Sequence, residues 1–129
     1  MARIRLSRRT SRCPAPRIED RQRAELVSLI VAHTFNVTPV DLRMPTRQRG
    51  KAAVARQVAM YICHVTLGQS FRDVGEFFGR DRTTAAYACK VVECRRDQRE
   101  FDDLIRRIEV AVRVLGVAPP ARVPTFGGL

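Results

Sequence analysis

"FFGRDRTTAAYACKVVE", residues 77–93, runs from two aromatic residues through a glycine and a charged trio to two adjacent threonines and a stretch of small and apolar residues. Ahead of Gly79, Phe71, Val74, Phe77 and Phe78 recur at helical spacing, and Ser70 with Asp73 three residues on forms a capping-box-like start. The spacing predicts a short helix over about 71–78, ended by Gly79 because glycine enters the left-handed conformation without steric cost. "RDR", residues 80–82, makes a short turn, and a further helix runs from about Arg82 to Arg96, burying Ala85, Ala88, Cys89 and Val92. A short helix, a glycine-centred turn and a longer helix are the parts of a helix-turn-helix.

In that motif the second helix enters the DNA major groove and its first residues meet base edges. Asp81, Arg82, Thr83 and Thr84 occupy that end. Arginine binds guanine bidentately, aspartate accepts from the cytosine amino group, and threonine offers a hydroxyl to polar edges and a methyl to thymine. Small residues at 85, 86 and 88 let the helix lie close to its support and to DNA. Tyr87 and Lys90, facing away from the core, point towards phosphates, and Arg72 and Arg80 are further backbone candidates. A blander reading stands beside this one, since Asp and Thr are favoured N-cap types and a plain helix cap also explains Asp81.

Outward from this stretch, Leu26, Leu29, Ile30 and Phe35 recur at helical spacing between about Glu19 and Phe35, with acids in the first turn facing the positive helix end. Asn36 and Pro39 break that helix. "RMPTRQRGK", residues 43–51, reads as a basic loop in which Arg47, Gln48, Arg49 and Lys51 suit a narrow minor groove, although ordinary solubility also explains such a loop. A helix from about Ala52 to Thr66 buries Val54, Val58, Tyr61, Ile62 and Val65 and closes at Gly68; Arg56 and Gln57, one turn in, hold the DNA backbone or support the loop. A last helix from about Arg99 to Leu115 carries Phe101, Leu104, Ile105, Ile108, Val112 and Leu115 on one stripe. Every periodic segment has a period near 3.6, so the expected fold is all-α with about five helices. Residues 1–17 hold six arginines and no acid and read as a basic arm, and the Pro/Gly-rich residues 116–129 as a loose tail, leaving 18–115 as the domain.

With 24 Lys and Arg against 13 acids, the chain carries a formal charge of +11 and a pI near 11.1, which predicts attraction to a polyanion. Its 129 residues favour one domain, and 45% apolar content supplies a core. No apolar run of about 18 residues predicts a membrane span and no apolar segment follows the basic start, so a cytoplasmic protein is expected. Cys63 and Cys89 read as small core residues, and the four cysteines with His33 and His64 show no ligand spacing, so no metal is expected. Sparse acids and the lack of a recognisable nucleophile arrangement argue against an enzyme. No G-x-x-x-x-G-K-[ST] phosphate loop occurs in these residues, so no nucleotide cofactor is expected.

"ARQVAMYICHVTLGQSFRDVGEFFGRDRTTAAYACKVVE", residues 55–93, resembles the C-terminal DNA-binding domain of DnaA, the bacterial replication initiator, with its RQ-x-AM, S-L-P-E-I-G and GGRDHTT pattern. The upstream "VAHTFNVTPVDLR" resembles the helix and connector before that domain, so the likeness spans about residues 20–110. It implies a Trp-repressor-like helical domain that binds a nonameric box of the TTATCCACA type, as a monomer. Carried across, Asp81, Thr83 and Thr84 match base-contacting residues, and Arg56 and Gln57 the pair after the basic loop. The resemblance makes Arg47 or Arg49 the minor-groove arginine, while strict register puts Gln48 at that position. Arg82 and Tyr87 stand where the family has histidines, Phe71 and Arg72 replace Leu-Pro, and one glycine is missing before Arg80, so base preference is expected to shift. The resemblance implies a double-stranded DNA binder, acting as a transcriptional regulator or at initiator-like boxes. The competing expectation is a protein-interaction module presenting Phe35, Phe101 and Leu115 as an exposed patch.

Overall fold

The structure, a computed structural model, describes residues 18–43 and 50–115, and every regular element among them is an α-helix. In chain order these are α1 (Ile18–Phe35), α2 (Pro39–Arg43), α3 (Lys51–Val65), α4 (Phe71–Phe78), α5 (Arg82–Arg95) and α6 (Arg99–Val114). The all-α expectation holds, with six helices among the described residues where about five were expected. The basic arm, residues 1–17, the tail, residues 116–129, and Arg47, Gln48 and Arg49 lie outside the described residues.

The centre of the domain is α3, which buries side chains around most of its circumference, from Ala52 and Ala55 through Val58, Ala59, Met60, Tyr61, Ile62 and Cys63. Helices α1, α2, α4 and α5 all lie against it. Small residues at 55, 59 and 63 allow these approaches, at interior packing density that leaves little room for longer side chains. Val65, expected in the core, stands half-exposed at the helix end, and Val54 is only partly buried.

Helix α1 buries a different face from the one its leucines suggest. Ala24, Val27, Ser28, Val31 and Ala32 turn inwards, whereas Leu26 and Leu29 are 45% and 47% exposed. Two apolar stripes run along this helix, and the one with the smaller side chains meets the core. Asn36, in the left-handed conformation at φ 60°, ends α1 in a Schellman motif: Val37 N–H donates to Ala32 O at 2.9 Å and Asn36 N–H to His33 O at 3.2 Å.

Helix α2 corrects the expectation that Pro39 only breaks the chain. Pro39 occupies the first helical position, where its missing N–H costs nothing. Thr38 and Asp41 cap the helix reciprocally: Asp41 N–H donates to Thr38 Oγ1 at 3.1 Å and Thr38 N–H to Asp41 Oδ2 at 3.3 Å. Leu42 anchors it in the core.

Arg96, just past α5, gathers α3 and α6. Its guanidinium donates to the Tyr61 hydroxyl at 3.0 Å, to Asp102 Oδ1 at 2.5 Å and to Glu109 Oε2 at 3.3 Å. These bonds raise its pKa against the opposing effect of burial, and they hold the Asp102 carboxyl below the usual carboxylate range. Phe101 is 9% exposed beneath the Arg95 guanidinium, 4.6 Å from its ring centroid, so the expected patch of Phe35, Phe101 and Leu115 does not form. His64 is half-buried: it stacks on Phe71 and its Nδ1 lies 2.8 Å from Gln69 O.

Candidate nucleic-acid interface

Ser70 opens α4 as expected, its Oγ accepting from Asp73 N–H at 3.0 Å. Gly79, left-handed at φ 69°, closes it in a second Schellman motif, with Arg80 N–H donating to Gly75 O at 2.8 Å. Gly75 carries the closest approach. A Cβ there would lie 2.6 Å from Arg80 O and 3.1 Å from the carbonyl carbon and oxygen of Asp81. The rear of α4 therefore rests on the backbone that starts α5, and only a hydrogen side chain fits. A glycine inside a helical pattern is the sequence signal for such an approach.

Asp81 is the N-cap of α5: its Oδ1 accepts Thr84 N–H at 2.9 Å. That backbone bond, with the Thr84 hydroxyl adding to it, holds the carboxyl below the usual carboxylate range. Ala85, Ala88, Cys89 and Val92 are buried against α3 and α4. Opposite them, Thr83, Tyr87 and Lys90 form an exposed row, and Arg82 and Thr84 flank its start. The structure thus brings Asp81, Arg82, Thr83 and Thr84 together in one exposed first turn, with Tyr87 and Lys90 continuing the same face.

Guanidinium groups crowd the other side of the turn. Arg80 Nη1 donates to Phe78 O at 3.2 Å and Gly79 O at 3.4 Å. Arg43, expected in the basic loop, donates from Nε to Phe77 O at 3.2 Å, with its guanidinium carbon 4.2 Å from the Phe77 ring centroid. Both cations sit at the negative end of the α4 dipole, where they are favoured. Nothing in the sequence announces the Arg43 contact, which spans 34 residues.

Arg56 is 9% exposed; its Nε donates to Leu42 O at 3.1 Å, while Nη2 is buried without a hydrogen-bond partner among the described residues. Burial, and then the charge of Arg80, lowers its pKa. Helix α3 thereby braces the end of α2. Gln57 is half-buried, and Lys51 and Arg72 are exposed at the first turn of α3 and on α4.

A glycine-turned helix pair with an exposed polar start to its second helix defines a helix-turn-helix protein. Residues 24–92 match the family described as bacterial dnaA protein helix-turn-helix, just over half of the chain. The chain belongs to this family. It is 36% identical over 91 residues to the chromosomal replication initiator protein DnaA of Mycobacteroides abscessus, covering 70% of this chain and 18% of that protein. Its fold is similar to a crystal structure of a DNA replication initiation factor, with a TM-score of 0.66 and 25% identity over 83% of this chain and 31% of that one. The chain thus spans less than a third of either relative.

Proposed function

We propose that this chain binds double-stranded DNA sequence-specifically, with the start of α5 in the major groove. Arg82, Thr83, Thr84 and the remaining lone pairs of Asp81 read base edges, each good contact giving roughly 1–3 kcal/mol of discrimination. Arg72, Arg80, Tyr87 and Lys90, with Arg56 and Gln57, hold the phosphate backbone, and Arg47, Gln48, Arg49 and Lys51 reach the minor groove. The observation that supports this best is the exposed row Thr83–Tyr87–Lys90 on a helix whose opposite side is fully engaged with the core. Arg56 adds to it, because a buried cation with a donor unused among the described residues, beside a second arginine, suits an anion. The protein acts as a monomer in the cytoplasm, without nucleotide, as a transcriptional regulator or as an occupant of initiator-like boxes. Selection from a random-sequence duplex pool tests this: one enriched motif is expected, and no enrichment would remove the reading.

A second reading, a protein-interaction module, is favoured by one surface. Exposed Leu29 and Val40 border a cavity of about 110 Å³ between α1, α2 and α4, also lined by Pro39, Arg43 and Phe77. Gel filtration with and without DNA separates the two readings: a complex only with DNA supports the first, self-association without DNA the second.

A further inference from the structure

Ala86 and Tyr87 stand three and four residues after Thr83, so each adjoins the Thr83 side chain on the helix surface. Tyr87 is 63% exposed, and among the described residues the other large apolar side chains at the surface are aliphatic. The second tyrosine, Tyr61, shows how a structural one is used: it is 3% exposed with its hydroxyl bonded to Arg96. Among the described residues Tyr87 has no such partner. It lies about 40° around the axis and about 6 Å along it from Thr83, close to the midline of the outward face. A side chain on that midline meets the groove floor, while those on the flanks meet the phosphate walls.

The floor of the major groove offers one apolar group, the 5-methyl of thymine. We propose that Tyr87 is a specificity residue: its ring, with the methyl groups of Thr83 and Ala86, takes the 5-methyl group of a thymine. The charged neighbours Arg82 and Lys90 frame this apolar strip with cations, as a polyanionic groove requires. The ring contact leaves the hydroxyl at its far end for a phosphate, so the two roles are compatible. The inference rests on the proposed placement of α5 and adds the chemistry of one base to it.

The test starts from the motif selected by the wild-type chain. Each thymine is replaced in turn by deoxyuridine, which removes only the methyl, and Kd is measured by fluorescence anisotropy for wild type, Y87A and Y87F. One replacement is expected to weaken wild-type binding roughly fourfold, the equivalent of returning one methyl group to water. Y87F keeps that difference and Y87A loses it. Wild-type binding unaffected by every replacement, or a thymine–deoxyuridine difference that persists in Y87A, overturns the assignment while leaving DNA binding intact. Equal losses by Y87A and Y87F on selected and random duplexes also overturn it, since the tyrosine would then touch phosphate alone. A selection that enriches no motif removes the placement of α5 itself.

Discussion

Gly75→Ala sets two effects against each other. Alanine is better than glycine inside a helix by about 1 kcal/mol, so propensity alone predicts a gain. The structure predicts a loss, because the new Cβ would stand 2.6 Å from Arg80 O and 3.1 Å from Asp81 backbone atoms. These are backbone atoms that cannot swing aside, and overpacking of this kind costs about 1–3 kcal/mol. Opening the turn also loosens the 2.8 Å bond from Arg80 N–H to Gly75 O, a further loss of about 1 kcal/mol. The propensity gain offsets that last amount, leaving a net destabilisation of about 1–3 kcal/mol. For a domain of this size that lowers Tm by roughly 4–8 °C per kcal/mol, read by circular dichroism. DNA affinity should fall with it, because the atoms pushed are those that start α5. Gly79→Ala is the control: a Cβ there meets nothing within 4 Å, so it costs only left-handed strain, about 1–2 kcal/mol. A G75A variant that melts at or above wild type would refute the close approach.

Arg56→Met removes a buried cation and its repulsion with Arg80 but leaves Leu42 O without a donor, so stability should stay within about 1 kcal/mol of wild type. Binding to all duplexes should weaken, with a salt slope lower by about 1; an unchanged slope would mean that Arg56 meets no phosphate. The Asp81 carboxyl is depressed in the folded state, so its cap stabilises above the ordinary carboxylate pKa and is lost as pH falls through the folded value. Thermal melts of D81A and wild type should therefore differ at neutral pH and converge in acid, and a pH-independent difference would contradict the cap. Under native conditions Cys94 should react with a thiol reagent, while Cys63 and Cys89 should not, since burial raises the Cys63 thiol and pushes Cys89 up to about 11. Peptide mass spectrometry of the labelled protein checks this, and native modification of Cys89 would show that α5 opens.

The helix-turn-helix was legible because its determinants are local. Ser70, Gly79 and Asp81 each act within four residues, and the apolar periodicity of α4 and α5 points to a single face. Helix α1 was legible as a helix but not in its orientation, since Leu26 and Leu29 compete with Ala24, Val27 and Val31 and only the shape of α3 decides between them. Helix α2 was missed because five residues give no periodicity and Pro39 serves equally as breaker or first residue. The Thr38–Asp41 box was the available signal. Arg43 on Phe77 and Arg96 on Tyr61 depend on partners 34 and 35 residues away, which no spacing rule connects.

In the proposed complex the first turn of α5 meets nucleobases. Thr83→Ala, measured by fluorescence anisotropy on the selected duplex and on a random one, addresses it most directly, because Thr83 is exposed and its loss disturbs neither the Asp81 cap nor the core. Weaker binding to the selected duplex with unchanged binding to the random one is the predicted result. Equal losses on both duplexes would contradict the account.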